Sequence, residues 1–169
     1  MNDVTVYLQP PAKEWVKQFE RQKALLENHD HPFIQIEHIG STSIGTIHAK
    51  PIVDLGAAIQ MGTALCTPDY ELLAKHGYVF HPHASTKERL FFKKEYDNQI
   101  FHLHVMEYES EEWRNKIAFR DELRQNKQLA KQYERLKVKL AKSHDRPAYT
   151  EAKGPFIQNC LEQIKKRNM

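Results

Sequence analysis

The stretch EHIGSTSIGTIHAKPIVDL, residues 37–55, decides how this 169-residue chain folds. A run with strand character, Phe33 to Ile39, enters this stretch and ends at Gly40. About a dozen residues later a second run, Pro51 to Ile59, has the composition of a buried strand and carries one acid, Asp54. The pattern predicts two strands joined through a turn of small residues, with a single carboxylate on the second strand.

The turn itself is rich in hydroxyl groups, because Gly40 is followed by Ser41, Thr42 and Ser43. Small residues after a strand let backbone N–H groups and hydroxyls approach a phosphate, and an acid on the neighbouring strand can hold the accompanying metal. These four residues are therefore candidate ligand-binding residues, in a plan typical of nucleotidyltransferases. The structural alternative is an ordinary turn with a hydroxyl cap.

Asp54 is a candidate catalytic and metal-binding residue, because a carboxylate inside an apolar run is costly unless it is paired or metal-bound. Pairing with nearby Lys50 is the structural alternative. Nucleotidyltransferases usually carry a second acid two residues after the first, and this position is Gly56. Binding of two metals is therefore not expected.

His102 and His104 are candidate catalytic and metal-binding residues as well. They are two residues apart in a predicted strand, Gln99 to Glu107, so their side chains share one face. With Asp54 they would form a two-histidine, one-carboxylate set suited to a divalent metal. Protonated imidazoles that bind phosphate, and histidines that simply lie on a polar strand face, are the two alternatives.

Five segments of the chain resemble the GrpB family, a group of small bacterial proteins with a nucleotidyltransferase-like fold. They are HIGSTSIGTIHAKPIVDL at 38–55, FHLHVME at 101–107, FRDELR at 119–124, YERLKVKLA at 133–141 and YTEAKGPFI at 149–157. The resemblance implies an α+β fold with a mixed β-sheet, flanking helices and a helical C-terminal third. It also implies a cleft, but no particular reaction. Together with the candidate site residues, it leads to the hypothesis that the protein binds a nucleotide or another phosphorylated small molecule with a divalent metal, Mg²⁺ or Mn²⁺, and transfers a nucleotidyl group to an unknown acceptor.

Basic residues would complete the phosphate cleft. Arg120 is the strongest candidate, because a guanidinium clamps phosphate with two hydrogen bonds, and a salt bridge to a carboxylate is its alternative. The candidate residues are Lys50, Arg89, Lys93, Arg120, Lys137 and Lys153.

Hydrophobic periodicity outlines the remaining elements. An Asp97–Asn98 pair predicts a hairpin turn. The predicted strands are Val4–Leu8, 33–39, 52–59, Tyr78–His81, Arg89–Tyr96 and Gln99–Glu107, and the predicted helices are 12–29, Asp69–His76, Glu111–Arg124, Lys127–Lys142 and one final helix from Pro147.

Length and composition favour one domain, residues 1–169, with a hydrophobic core, since 40 % of the residues are apolar. No apolar run approaches the ~20 residues of a membrane span, and the first residues lack a signal-peptide pattern. The two cysteines are far apart and are expected to be reduced, which favours a cytoplasmic protein without a membrane partner.

The net charge of +3 is unevenly distributed, with most of the basic excess after residue 110. Solvated helix faces explain most of these residues, so nucleic-acid binding is only weakly predicted. Three alternatives to nucleotidyl transfer remain open: a binding module that has lost catalysis, a metal-dependent hydrolase built on the same three residues, and RNA or protein binding by the C-terminal helices.

Overall fold

A mixed β-sheet forms the centre of the computed structural model, which describes residues 6–28, 30–143 and 145–169. The strands are β1 (Phe33–Ile39), β2 (Ile52–Ile59), β3 (Val79–Phe80), β4 (Leu90–Tyr96) and β5 (Gln99–Glu107), in the spatial order β1-β2-β5-β4-β3. β2 and β5 run parallel, whereas the other neighbouring strands run antiparallel. The predicted mixed sheet is therefore confirmed.

Helices flank this sheet and occupy the last third of the chain, as predicted. They are α1 (Lys13–Glu27), α2 (Thr67–Lys75), α3 (Glu111–Gln125), α4 (Lys127–Ser143), α5 (Arg146–Ala152) and α6 (Gly154–Arg167). Short 3-10 turns occur at Ser41–Ser43 and Pro82–Ala84. No helix within the described ranges is long and apolar enough to cross a membrane.

The two faces of the sheet have different roles. Val53 and Leu55 of β2 and Leu103 of β5 belong to one buried apolar cluster with Trp15 and Phe19 of α1. Because side chains alternate along a strand, the residues between them point to the opposite face. That opposite face carries the candidate site.

The predicted strand Val4–Leu8 does not form in its described part, and residues 4 and 5 lie outside the described residues. Val6 instead packs in a small apolar cluster with Tyr149, and Gln9 forms an isolated antiparallel bridge with Ala49. The two prolines that follow Gln9 have no N–H to donate, so the ladder ends there.

The predicted single final helix is wrong, because the structure divides it into α5 and α6 at Lys153. Pro155 lies at the start of α6, where its missing N–H and its ring prevent the regular helical bond to Glu151. The break leaves Lys153 between the two helices.

Other boundaries shift by only a few residues. α1 ends at Glu27, and His29 lies outside the described residues. α2 begins at Thr67, two residues before the prediction, because Cys66 and Asp69 form a capping box. The predicted hairpin turn is confirmed, since Asp97 and Asn98 both have positive φ, 50° and 61°.

Candidate functional site

The site begins where Gly40 approaches Asp54. Ile39, the last residue of β1, pairs with Asp54 in β2, so the next residue reaches the carboxylate. Gly40 has φ 73° and ψ −176°, a conformation that is essentially restricted to glycine. A Cβ atom there would overlap Oδ2 of Asp54 and lie 3.0 Å from its Cγ. Glycine is therefore required both by the backbone and by the space beside the carboxylate.

The predicted histidines meet the same carboxylate. In the parallel pairing of β2 with β5, Asp54 lies opposite His102, and His104 is one step further along the same face. Oδ1 of Asp54 is 2.8 Å from Nε2 of His104 and 3.6 Å from Nδ1 of His102. The side chains of Asp54 and His102 are 22 % and 24 % exposed, so a small ligand can reach them, whereas that of His104 is only 12 % exposed.

These contacts determine the ionisation of the group. Burial opposes ionisation of Asp54, but the interactions with nearby His102 and with the hydrogen-bonded His104 outweigh it and hold the pKa of Asp54 well below its usual range. For His104, burial outweighs the attraction of Asp54 and lowers the pKa of the imidazole. The pair is thus a carboxylate beside a neutral imidazole at neutral pH.

Arg89 approaches His104 from the other side of the ring. It precedes β4 by one residue, and its Nη1 lies 3.0 Å from Nδ1 of His104. Its Nη2 also donates to the carbonyl oxygen of Ala84 at 3.1 Å. The structure therefore places this candidate phosphate ligand next to His104, in contact with the imidazole.

Asp54, His102 and His104 could hold a metal ion, because each offers one donor atom and these atoms lie within 4.8 Å of one another. Imidazole nitrogens suit transition metals such as Zn²⁺, Fe²⁺ and Ni²⁺, whereas Mg²⁺ and Mn²⁺ prefer oxygen donors. On donor chemistry alone, the three residues together fit such a transition metal better than Mg²⁺ or Mn²⁺.

The position of the missing second acid is bordered by apolar side chains. A Cβ atom at Gly56 would lie 3.4 Å from Cδ1 of Ile39 and 3.4 Å from Cζ3 of Trp113. These are ordinary van der Waals distances, so a side chain at this position would pack against Ile39 and Trp113.

The hydroxyl-rich turn is held by internal hydrogen bonds. Thr42 Oγ1 donates to the carbonyl oxygen of Ile52 at 3.0 Å and accepts from Nε2 of His38 at 3.0 Å. Burial lowers the pKa of His38 to about 4, so this ring is neutral. Ser43 donates to the carbonyl oxygen of Gly40. Thr42 and Ser43 are buried and shape the turn, whereas Ser41 is the partly exposed hydroxyl.

Two arginines of α3 donate hydrogen bonds to the backbone at the end of β1 and in the turn that follows it. Arg120 Nη1 forms an ion pair with Glu37 at 2.5 Å and donates to the carbonyl oxygen of His38 at 3.1 Å, and its Nε contacts Asp121 at 2.9 Å. Arg124 Nε donates to the carbonyl oxygen of Ser43 at 2.9 Å. Arg120 therefore forms the salt bridges to carboxylates that were the alternative to a role in phosphate binding.

Three lysines, Lys50, Lys137 and Lys153, lie near one another, and Lys153 is close enough to Asp54 for the charge of the carboxylate to affect its pKa. Lys50 and Lys153 lie over the ring of Tyr149, at 5.1 and 4.7 Å from its centroid. Burial and the charge of Lys50 lower the pKa of Lys153 to about 8, against the opposing attraction of Asp54. Lys137 is 1 % exposed and donates to the carbonyl oxygen of His48. Burial and the charge of Lys153 lower its pKa to about 7.

Two nearby residues were not predicted from the sequence. Lys116 of α3 is close enough to Asp54 and Arg89 for their charges to affect its pKa, which burial lowers. Tyr133 of α4 hydrogen-bonds Ser41, and burial raises the pKa of this tyrosine to about 12. Tyr133 opens the YERLK segment, which is a signal that sequence reasoning could have used, whereas Lys116 resembles any surface lysine of a helix.

Lys93 and Glu107 have contacts other than with Asp54. Lys93 pairs with Glu95 at 2.6 Å, and the exposed Glu107 contacts the backbone N–H of Gly62 at 3.4 Å. The basic stripe on α4 is exposed, as expected for a solvated helix face; its members are Lys127, Lys131, Arg135 and Lys139.

Comparison with known proteins now gives the family. The sequence model of the GrpB protein family matches residues 5–163. The chain belongs to the GrpB family. The glutamate-rich protein GrpB of Alkalihalophilus pseudofirmus is 30 % identical over 97 % of this chain and 98 % of its own length. The UPF0157 protein YqkA of Bacillus subtilis is 31 % identical over 91 % of this chain, which spans 46 % of that relative.

Solved structures agree on the fold. The conserved protein GrpB from Enterococcus faecalis superposes with a TM-score of 0.80 at 27 % identity, covering 96 % of this chain and 99 % of that one. The Cid1 poly(U) polymerase, solved with Mg and 3′-dATP bound, gives a TM-score of 0.53 at 15 % identity, covering 78 % of this chain and 41 % of that one. The fold is therefore a nucleotidyltransferase-like α+β fold, and the second likeness concerns the fold alone.

Proposed function

We propose that this GrpB-family protein binds a nucleotide, or another phosphorylated small molecule, together with one divalent metal, and transfers a nucleotidyl group to an acceptor. The observation that carries the proposal is a convergence at one face of the sheet. The glycine turn at Gly40 touches Asp54, and the partly buried Lys153 lies within the electrostatic range of the same carboxylate. A phosphate between them would meet backbone, metal and ammonium groups together.

The lysines give the best argument for an anionic ligand. Burial disfavours the charged forms of Lys137 and Lys153, and each also lies near another lysine. Placing cations so close together costs free energy, which a bound phosphate would offset by Coulomb attraction in a poorly solvated site. If these residues served only the stability of the fold, a lysine paired with a carboxylate would stabilise it more than two neighbouring lysines.

Asp54 and His102 have the donor atoms for the metal, and His104 is the third candidate. A divalent metal held there would neutralise charge on the phosphates and orient them. The depressed pKa of Asp54 keeps the carboxylate ionised across the physiological range, as metal binding requires.

For the reaction, the residues of this chain position the reactants. The hydroxyl oxygen of the acceptor attacks the α-phosphorus, a new P–O bond forms, and the bond to pyrophosphate breaks as that group leaves. The hydroxyl proton passes to a water molecule, because His102 would hold the metal and both ring nitrogens of His104 already have partners in Arg89 and Asp54. Lys153 neutralises charge on the leaving group.

A binding module without turnover is the second candidate, and the packing at Gly56 favours it. Polymerase-like enzymes use two or more acids to hold two metals for in-line attack. Here the second acid is replaced by Gly56, and Ile39 and Trp113 border its position. The two candidates share a ligand and differ only in whether pyrophosphate is released.

The experiment measures binding first and turnover second. Nucleoside triphosphates are titrated with Mn²⁺ into wild type, Lys153→Gln and Lys139→Gln, where Lys139 is an exposed lysine of α4 and serves as the control. Lys153→Gln should weaken binding roughly 10-fold, the equivalent of about 1.4 kcal/mol, and Lys139→Gln should not. Equal affinity of all three proteins would refute the lysine subsite. Pyrophosphate release in the presence of candidate acceptors then separates transferase from binding module.

A further inference from the structure

Arg89 determines which nitrogen of His104 carries the hydrogen. Its Nη1 lies 3.0 Å from Nδ1 of His104, while Nε2 of the same ring lies 2.8 Å from Oδ1 of Asp54. A guanidinium has N–H donors and no acceptor, so Nδ1 must be the acceptor and carries no hydrogen. The hydrogen of the neutral ring is therefore on Nε2, where it is donated to Asp54.

A histidine that binds a metal needs the opposite arrangement. One ring nitrogen offers its lone pair to the metal, and the other donates its N–H to a carboxylate, carbonyl or water. In this structure the lone pair of Nδ1 faces Arg89, and Nε2 has a hydrogen in place of a lone pair. His104 therefore cannot bind a metal while Arg89 keeps its place.

Arg89 is well anchored in that place. Its Nη2 donates to the carbonyl oxygen of Ala84 at 3.1 Å, and its guanidinium lies 5.7 Å from the ring centre of Phe91. Phe91 in turn packs edge-on against His104, with ring centres 5.4 Å apart and planes at 67°. The ring of Phe91 therefore packs against both the guanidinium and the imidazole and holds the two groups beside each other.

We propose that Arg89 is a positioning residue that fixes His104 as a hydrogen-bond donor to Asp54 and excludes it from the metal shell. This inference rests on the proposed function, because it concerns the metal placed at Asp54. Asp54 and His102 are left as the donors of this site, and the remaining positions fall to oxygen atoms of phosphate or water. Arg89 therefore selects Mg²⁺ or Mn²⁺ over ions such as Co²⁺ and Zn²⁺, which favour imidazole.

The first test is binding of Co²⁺ alone and of Mg²⁺ alone, without nucleotide. In Arg89→Gln the amide oxygen can accept from Nδ1–H, so His104 is released as a ligand and Co²⁺ affinity should rise roughly 10-fold or more. Lys116→Gln is the matched control, because it also removes a positive charge that acts on Asp54 and His104, whereas the hydrogen bond to Nδ1 of His104 comes from Arg89. It should raise the two affinities equally. Adding His104→Ala to Arg89→Gln should abolish the selective gain.

Selectivity for Co²⁺ over Mg²⁺ that is no greater in Arg89→Gln than in Lys116→Gln would overturn the inference. A long-range ¹H–¹⁵N correlation spectrum of the metal-free protein gives an independent reading. It should show the Nε2–H form of His104 in wild type, and the Nδ1–H form there would also overturn the inference. Neither measurement uses nucleotide, so a failure to bind nucleotide would count only against the proposed function.

Discussion

Gly40→Ala should damage both the fold and the site, because two separate features demand glycine at this position. The left-handed backbone with extended ψ costs a non-glycine residue about 1–3 kcal/mol. The new Cβ would also overlap Oδ2 of Asp54, which must then move away from His104. Losing that charged hydrogen bond adds about 1.5–3 kcal/mol. The expected total is a loss of about 2.5–6 kcal/mol in the free energy of unfolding.

Gly45→Ala is the matched control for this prediction. Gly45 has a similar φ of 83°, but a Cβ atom there would meet no atom within 4 Å. This variant should lose only the backbone part, about 1–3 kcal/mol. The difference between the two variants isolates the contact with Asp54.

Urea unfolding followed by tryptophan fluorescence measures both variants, since Trp15 and Trp113 are buried and report on the two faces of the sheet. Metal affinity measured on the folded variants gives the functional half, and only Gly40→Ala should reduce it. Equal loss of stability in the two variants, with unchanged metal affinity, would refute the claim that Gly40 exists to make room for Asp54.

Three further predictions concern the surroundings of the site. Thr42→Val should lower the free energy of unfolding by about 1–3 kcal/mol, because Nε2–H of His38 loses its buried acceptor; chemical denaturation measures this, and an unchanged midpoint would contradict it. Gly56→Asp should destabilise the protein by about 1–3 kcal/mol, because the new side chain meets Trp113. It should not raise the number of bound Mn²⁺ ions. A second bound ion, found by metal titration, would show that this packing argument is wrong. Between about pH 7 and pH 10, the free energy of unfolding of wild type should rise relative to that of Lys137→Met. The reason is that the lysine of the unfolded chain keeps a proton in this range that the folded lysine has lost. Parallel plots of the free energy of unfolding against pH for the two proteins would exclude the lowered pKa.

Local patterns were sufficient to predict much of the fold. β1, β2 and β5 have the predicted bounds, because alternating or continuous apolar runs end at residues such as Gly40 that break a strand. The hairpin at Asp97 and Asn98 follows from residues that tolerate positive φ. The division of the last helix was not predicted, although Pro155 is a residue that interrupts the hydrogen bonding of a helix.

The site was only partly predictable. The meeting of Asp54 with His102 depends on parallel pairing of β2 with β5, and a single sequence does not specify which strands are neighbours. The same limit hides the contact of Arg89 with His104, because this contact depends on how the segment before β4 turns, which is a tertiary property. Lys116 had no sequence signal, because only the packing of α3 brings it near Asp54.

The central claim is that Asp54 organises a site for a phosphorylated ligand and one divalent metal. Isothermal titration of ATP, GTP, CTP and UTP, with Mg²⁺ or Mn²⁺, into wild type and Asp54→Ala tests it most directly. The account predicts binding of at least one nucleotide to wild type that requires the metal and is lost in Asp54→Ala. Nucleotide binding that is equally strong in both proteins, or no binding of any of the four to wild type, would contradict it.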